Sequence, residues 1–309
     1  MNRRPVRLLA LAAALLLALA GCATSNPTSS SPSSSAAASG TVRIGSANFP
    51  ESEIIAELYA QALEAKGIKV ERHMQIGARD IYVGALKDGS IDLVPEYTGN
   101  LLQYFDAKTT ATTPDEVTKA LTAATPSGFS VLTPASAEDK DSYNVTKEFS
   151  EKNHVTSLAD LAATSGTLRI GGNPELAERP YGPKGLTSAY GVPADRLSFV
   201  AISDGGGPLT VKALKEGQVD LADIYSTTPA IKDNGFVTLT DPKNMIMPQN
   251  VVPLISTKAA TQTVKDTLDK VSAALTTDDL LAMNSRNQGS EKASPAQVAK
   301  DWLKQKNLA

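Results

Sequence analysis

Cysteine is almost absent from this 309-residue chain, with Cys22 the single example. Without a second thiol, an intrachain disulfide and a site built from several thiolates are both excluded. Histidine is nearly as scarce. His73 and His154 stand far apart, and neither belongs to a metal-ligand spacing of His, Asp or Glu. Both read as surface residues, and no metal is expected. A basic excess is also missing: 30 Lys and Arg face 33 Asp and Glu, a net charge of −3, which argues against nucleic acid as a partner. No nucleophile–base constellation stands out, and nothing singles out a pair of carboxylates. Residues 203–208 hold three glycines but no Gly-Lys-Ser/Thr follows, so this is a turn before a helix and not a phosphate loop.

Long apolar runs are limited to the beginning of the chain. Arg3, Arg4 and Arg7 precede an apolar stretch at 8–20, too short to span a membrane comfortably and flanked like an export signal. The stretch ends in Leu19-Ala20-Gly21-Cys22, which resembles a bacterial lipoprotein cleavage box. The expectation is a signal peptide at 1–21, lipidation of Cys22, and a Ser-, Pro- and Ala-rich disordered tether at 22–40. Removal of 1–21 takes away three arginines and no acid, leaving 27 basic against 33 acidic residues, net −6. No later run approaches membrane length.

What the chain does have is an internal repeat. Residues 84–100, GALKDGSIDLVPEYTGN, return as VKALKEGQVDLADIYSTT at 211–228. Setting Ala85-Leu86-Lys87 on Ala213-Leu214-Lys215 brings Gly89 onto Gly217, Asp92 onto Asp220, and Tyr97 onto Tyr225. Upstream, Thr41-Val-Arg-Ile-Gly45 is echoed by Thr167-Leu-Arg-Ile-Gly171. Such a repeat implies two similar lobes. Strand-like runs alternate with helical periodicity throughout, which predicts an α/β fold with mainly parallel sheets. Val264, Leu268, Val271 and Leu275 recur at helical spacing, Thr277 is placed to cap a helix over 278–284, and Ser294-Pro295 opens a last helix. A helical pattern is expected within 149–161, with Ser157 as N-cap for 158–162, and the Pro- and Gly-rich stretch 172–185 is expected to lack regular structure. The domain reading is one lobe from 41–134 plus 251–309, a second from 143–240, and hinge crossings at 135–142 and 241–250, closing about a ligand.

Scarce aromatics placed at strand exits mark the expected site. Tyr97, Tyr143 and Tyr225 occupy strand-exit or crossing positions, where α/β proteins bind ligands. A cation against an aromatic face gains roughly 0.5–2 kcal/mol once desolvated. Three faces therefore suit a quaternary ammonium. The loop at 46–50 presents Asn48 and Phe49 at a helix start, where backbone N–H groups are free. Arg79 precedes another helix, and Asp204 lies in the triple-glycine turn.

Ile44-Gly-Ser-Ala-Asn-Phe49, Gly89-Ser-Ile-Asp-Leu93, Pro95-Glu-Tyr-Thr-Gly99 and Tyr225-Ser-Thr227 resemble the osmoprotectant-binding lipoproteins of ABC importers. Members bind glycine betaine, choline, carnitine or proline betaine. The likeness runs from Thr41 to the C-terminus. It implies a two-lobed, type II periplasmic-binding-protein-like fold that clamps a trimethylammonium head in an aromatic cage. It implies binding without catalysis or cofactor, by a monomer held to the membrane through its lipid, with permease and ATPase as separate chains. Carried over by motif, Tyr97, Tyr143 and Tyr225 form the cage, while Asn48, Asn100, Thr98, Gln249 and Asn250 hold the polar end. Glu175 and Arg179 are expected near the cleft. Two departures stand out. Ala47 replaces a longer polar residue, and Gln249 stands where some members carry a fourth aromatic. The second leaves open an amide-bearing or aromatic polar solute as ligand, and a secreted enzyme on the same scaffold is the alternative from another class.

Overall fold

The computed structural model describes residues 40–309. The expected signal peptide, Cys22 and all of the tether except Gly40 lie outside the described residues. The chain opens with β1 (Val42–Ala47), then α1 (Pro50–Glu64), with Pro at its first position and Glu51 and Glu53 in its first turn. β2 (Val70–Gly77), α2 (Arg79–Asp88) and β3 (Leu93–Tyr97) complete a parallel unit in which β1 sits between β2 and β3. α3 (Thr98–Phe105) follows without a linker, and α4 (Pro114–Ala124) starts from a capping box of Thr113 and Glu116. β4 (Phe129–Val131) ends this stretch.

The same plan then restarts. β5 (Tyr143–Val145) and α5 (Lys147–Asn153) lead to a 3-10 turn, Leu158–Ala163, capped by Ser157 and Asp160. The helical pattern within 149–161 thus divides between α5 and this turn, and Ser157 caps the turn as expected. β6 (Leu168–Gly172) is followed by a 3-10 turn at Pro174–Glu178 and by α6 (Pro183–Tyr190), so the Pro-rich stretch carries more regular structure than its composition suggests. Pro174 and Pro183 each sit in a first turn, where a missing N–H costs nothing. β7 (Leu197–Ala201), α7 (Pro208–Lys215), β8 (Leu221–Asp223), α8 (Ala230–Asp233) and β9 (Val237–Thr238) complete the second unit. β10 (Val251–Ser256) precedes α9 (Gln262–Ala274), α10 (Thr277–Gln288) and α11 (Pro295–Gln305). The side chain that caps α10 belongs to Thr276, one residue before the one expected.

Two five-stranded sheets result, in the orders β2-β1-β3-β10-β4 and β7-β6-β8-β5-β9. Their pairing is mixed, half parallel and half antiparallel. In each, four strands point the same way, but one runs against them and pairs antiparallel on both sides: β10 with β3 and β4, and β5 with β8 and β9. The reason is topological, because both antiparallel strands arrive directly from a segment that has just left the other sheet. Those two segments pair with each other through an antiparallel bridge between Glu138 and Asn250.

The first sheet is covered on one face by α1 and the three C-terminal helices. Ile54, Ile55 and Leu58 share a core there with Val264, Leu268, Val271, Leu275, Trp302 and Leu303. At about 1.5–3 kcal/mol per buried large aliphatic, this is the largest buried apolar cluster among the described residues. The second sheet has a smaller core around Val145, Leu168, Ile170, Leu186 and Leu221.

Candidate functional site

A cavity of about 90 Å³ opens where the strand exits of both sheets meet the crossings. The β1 exit supplies Ala47, Asn48 and Phe49; the start of α2 supplies Ala78, Arg79 and Tyr82; the β3 exit supplies Tyr97 and Asn100. Across from them lie Asn173, Glu175, Leu176, Arg179 and Tyr181 after β6, and Asp223 and Tyr225 at the end of β8. Asp139 and Asp141 come from the first crossing. The carboxyl ends of parallel strands converge on this place, as the fold requires.

Aromatic rings form a continuous wall. Phe49 stands between the two repeat tyrosines, 6.1 Å from the Tyr97 ring centroid and 5.2 Å from that of Tyr225, edge-on to the latter. The close approach depends on Gly205, where φ is +65° and a Cβ would come within 2.9 Å of the Phe49 Cβ. Tyr97 is held by its hydroxyl, which donates to Glu51 Oε1 at 2.6 Å. The Tyr225 hydroxyl accepts from Asn173 Nδ2 at 3.2 Å, and Asn173 Oδ1 accepts from the Gly205 N–H at 2.9 Å. Burial raises the hydroxyl pKa of Tyr82, Tyr97, Tyr181 and Tyr225 well above its ordinary value, so all four remain neutral.

Charge at the wall is organised in two ways. Arg79 forms a bidentate pair with the fully buried Glu96, at 2.8 and 3.0 Å, and Tyr82 donates to the same carboxylate at 2.8 Å. Tyr97 N–H adds a fourth donor to Glu96 at 3.0 Å, so the pair is neutralised within the protein. The acids are different. Asp139 accepts from Thr227 N–H at 3.0 Å and Ser226 Oγ at 3.1 Å, and Asp141 from Asn100 Nδ2 at 2.8 Å, with no guanidinium or ammonium in ion-pair range of either among the described residues. Burial, and then the Glu51 carboxylate, pushes the Asp139 carboxyl well above the usual range. Burial, and then Asp141, does the same to Asp223. A cation entering the cavity would relieve this accumulation of acid. Thr227 ties the elements together, donating its N–H to Asp139 and its hydroxyl to Glu51 of α1, while Asn284 of α10 donates to Glu51 and to the Thr227 carbonyl.

Of the residues singled out from sequence, Tyr97, Tyr225, Asn48, Asn100, Phe49, Arg79, Glu175 and Arg179 line the cavity. Tyr143 does not. It is 1% exposed in the second core, and its hydroxyl donates to the Tyr181 carbonyl at 2.9 Å, so Tyr181 and not Tyr143 supplies the ring at the wall. Gln249 and Thr98 are both fully buried and off the cavity, as is the half-buried Asn250. Thr98 Oγ1 donates to the Pro248 carbonyl and accepts from Asn250 N–H, while Asn250 Nδ2 donates to the Ala135 carbonyl. These three serve to bind the β3 exit to the second crossing. Asp204 is a helix cap: its carboxylate accepts from Leu209 N–H, Thr210 N–H and Thr210 Oγ1 and faces a second cavity of about 210 Å³ beyond Phe49 and Tyr225. Sequence reading missed Tyr82, Tyr181, Asn173, Asp139, Asp141 and Asp223. The Glu-Asp-Lys-Asp run inside the first crossing was a usable signal for the aspartates, since a crossing borders any cleft between lobes. Tyr82 carried none, because it reads as the apolar face of α2.

The family model described as the substrate binding domain of an ABC-type glycine betaine transport system matches residues 40–305. The chain belongs to this family. The glycine betaine-binding protein YehZ of Escherichia coli strain K12 is 28% identical over 277 residues, covering 86% of this chain and 90% of that protein. The carnitine transport binding protein OpuCC of Listeria monocytogenes strain 10403S is 25% identical over 286 residues, covering 86% and 87%. Among solved structures, one described as a glycine betaine/carnitine/choline ABC transporter superposes with a TM-score of 0.69 at 23% identity, covering 86% of this chain and 99% of that one. The fold is accordingly the two-lobed, type II periplasmic-binding-protein-like α/β architecture of this family. Among the described residues no helix is long and apolar enough to cross a membrane.

Proposed function

We propose that this chain captures a small quaternary-ammonium solute of the glycine betaine or choline type and presents it to an ABC permease. One observation carries the ligand class: Phe49, Tyr97 and Tyr225, with Tyr82 and Tyr181, enclose a cavity whose remaining wall holds Asp139, Asp141 and Asp223. Ring faces attract a cation that cannot donate hydrogen bonds, and carboxylates set a negative potential without needing one. The chain acts by binding, with no bond made or broken. In this reading the lobes at 41–134 plus 251–309 and at 143–240 close through the crossings at 135–142 and 241–250.

Around that core, residues 1–21 act as an export signal, Cys22 carries the lipid, and the tether up to residue 40 leaves the body on the outer face of the cytoplasmic membrane. Permease and ATPase are separate chains, and the binding unit is a monomer. An amide-bearing or aromatic solute was favoured only by Gln249 as a missing cage wall; with Gln249 buried away from the cavity, that support is gone.

Calorimetric titration with glycine betaine, choline, carnitine and proline betaine, beside uncharged analogues of each, tests the ligand class. Heat from at least one amine and none from the uncharged analogues is expected. Silence from all four amines would remove the ligand assignment and leave family membership standing. For the anchor, Cys22→Ala should move the protein from the membrane fraction into the soluble one.

A further inference from the structure

Gln249, at 0% exposure, makes no contact with the cavity, yet it decides what Asn100 shows to it. Two bonds join the pair: Asn100 N–H donates to Gln249 Oε1 at 2.9 Å, and Gln249 Nε2 donates to Asn100 Oδ1 at 2.8 Å. At the far side Asn100 Nδ2 donates to Asp141 Oδ2 at 2.8 Å. The sense of this relay is forced from both ends. A backbone N–H can only donate, so the Gln249 oxygen must face it and the Gln249 amide nitrogen must face the Asn100 side chain. A nitrogen donor there requires the Asn100 oxygen, which turns the Asn100 nitrogen toward a carboxylate, an acceptor when ionised. One N–H of Asn100 then remains without a protein acceptor among the described residues, at the cavity wall.

The packing is built for this contact. A Cβ on Gly99 would fall 2.5 Å from the Pro248 carbonyl oxygen and 2.9 Å from Gln249 Nε2, so only glycine lets the second crossing approach. Gln249 is itself fixed by its backbone. Its N–H donates to Glu138 Oε1 at 3.0 Å, and its carbonyl accepts from Asp139 N–H at 3.2 Å.

We propose that Gln249 is a positioning residue that locks the Asn100 amide with a donor facing the cavity, and so selects ligands whose tail carries an oxygen acceptor. The proposal rests on the quaternary-ammonium reading and adds to it. The ring wall reads the head, and the Gln249–Asn100 relay reads the other end.

The test compares three probes: glycine betaine and choline, which bear an oxygen tail, and tetramethylammonium, which is the head alone. In Gln249→Glu, a carboxylate cannot donate to Asn100 Oδ1. In Gln249→Met, the volume is kept and both bonds are lost. Each variant is expected to bind the two tailed probes at least tenfold more weakly and to change tetramethylammonium affinity less than twofold. Asn100→Ala should give the same pattern, and adding Gln249→Met to it should cost less than a further twofold. Equal loss for all three probes would reduce Gln249 to a structural role and overturn the proposal, as would unchanged affinity for the tailed probes. If a Gln249 variant does not fold, Asn100→Ala decides: a retained preference for tailed probes overturns the proposal. A wild-type protein that binds none of the three sinks the ligand reading itself, an outcome distinct from the others.

Discussion

In the first sheet Arg43 clips Asp92 through Nε at 2.8 Å and Nη2 at 2.9 Å, with Asp92 also accepting the Arg43 N–H. In the second sheet Arg169 repeats the clip on Asp220 at 2.9 and 2.7 Å, again with the arginine N–H. The two halves part company one strand further on. In the alignment that sets Tyr97 on Tyr225, Glu96 falls on Ile224 and Arg79 on Gly207. The first half therefore backs its tyrosine with a buried ion pair, and the second half with an aliphatic side chain and a turn. Tyr97 is 7% exposed and fixed at both hydroxyl and N–H, whereas Tyr225 is half-buried and held through Asn173. The two halves share the scaffold and differ in what supports the ring: Tyr97 is tied at two points to buried carboxylates and Tyr225 at one to an amide.

Breaking the support on the Tyr97 side should have the largest effect. Glu96→Leu leaves the Arg79 guanidinium buried and unpaired and should cost about 3–5 kcal/mol in urea unfolding. Pairing it with Arg79→Met should recover most of that loss. On the other side, Ile224→Val should cost only about 0.5–1.5 kcal/mol. Equal losses for Glu96→Leu and Ile224→Val would show that the two supports do not differ as described.

The rings come next. Tyr97→Ala and Tyr225→Ala should each weaken binding of a quaternary amine at least about tenfold, roughly 1.4 kcal/mol. Only Tyr97→Ala should also lower the melting temperature appreciably, since only Tyr97 belongs to a buried core. Retained affinity in both variants would take the tyrosines out of the site.

A third comparison uses pH. The folded state holds the Asp139 and Asp223 protons more tightly than the ordinary value of 3.8, so it binds more protons than the unfolded chain does. Their contribution to stability is fully present below that value and is lost as pH rises through the raised folded one. Asp139→Asn and Asp223→Asn should each remove this fall, flattening the stability profile by up to about 1.4 kcal/mol per pH unit. Parallel profiles for wild type and both variants would contradict the assignment. Smallest of all, Asp92→Asn and Asp220→Asn should cost about 1 kcal/mol or less each, because the paired arginines are partly exposed. The two values should agree within a few tenths if the clips are equivalent.

Much of this was legible beforehand. The repeat pointed to two like lobes, and the Tyr97 and Tyr225 positions follow directly from strand exits. Tyr143 was not legible, because a tyrosine at a strand start and one at a cavity wall look alike until the partner of the hydroxyl is known. Gln249 was misread for a related reason. Its position along the chain borders the cleft, but Gly99 draws the second crossing close enough to turn its side chain inward. The aspartates left one signal, the Glu-Asp-Lys-Asp run in a crossing, but acids in a polar connector normally face solvent, and only tertiary closure buries Asp139 and Asp141.

The placement of the C-terminal helices on the first sheet has a consequence for synthesis. Every strand of the second sheet lies between residues 143 and 238, whereas the first sheet needs β10 and its core needs α9 to α11. As the chain emerges from its N-terminus, the second sheet can close while the first still waits for the last helix, inverting the usual N-terminal-first order. Pulse proteolysis of a released chain truncated after residue 250 should find the second half already resistant and the first still open.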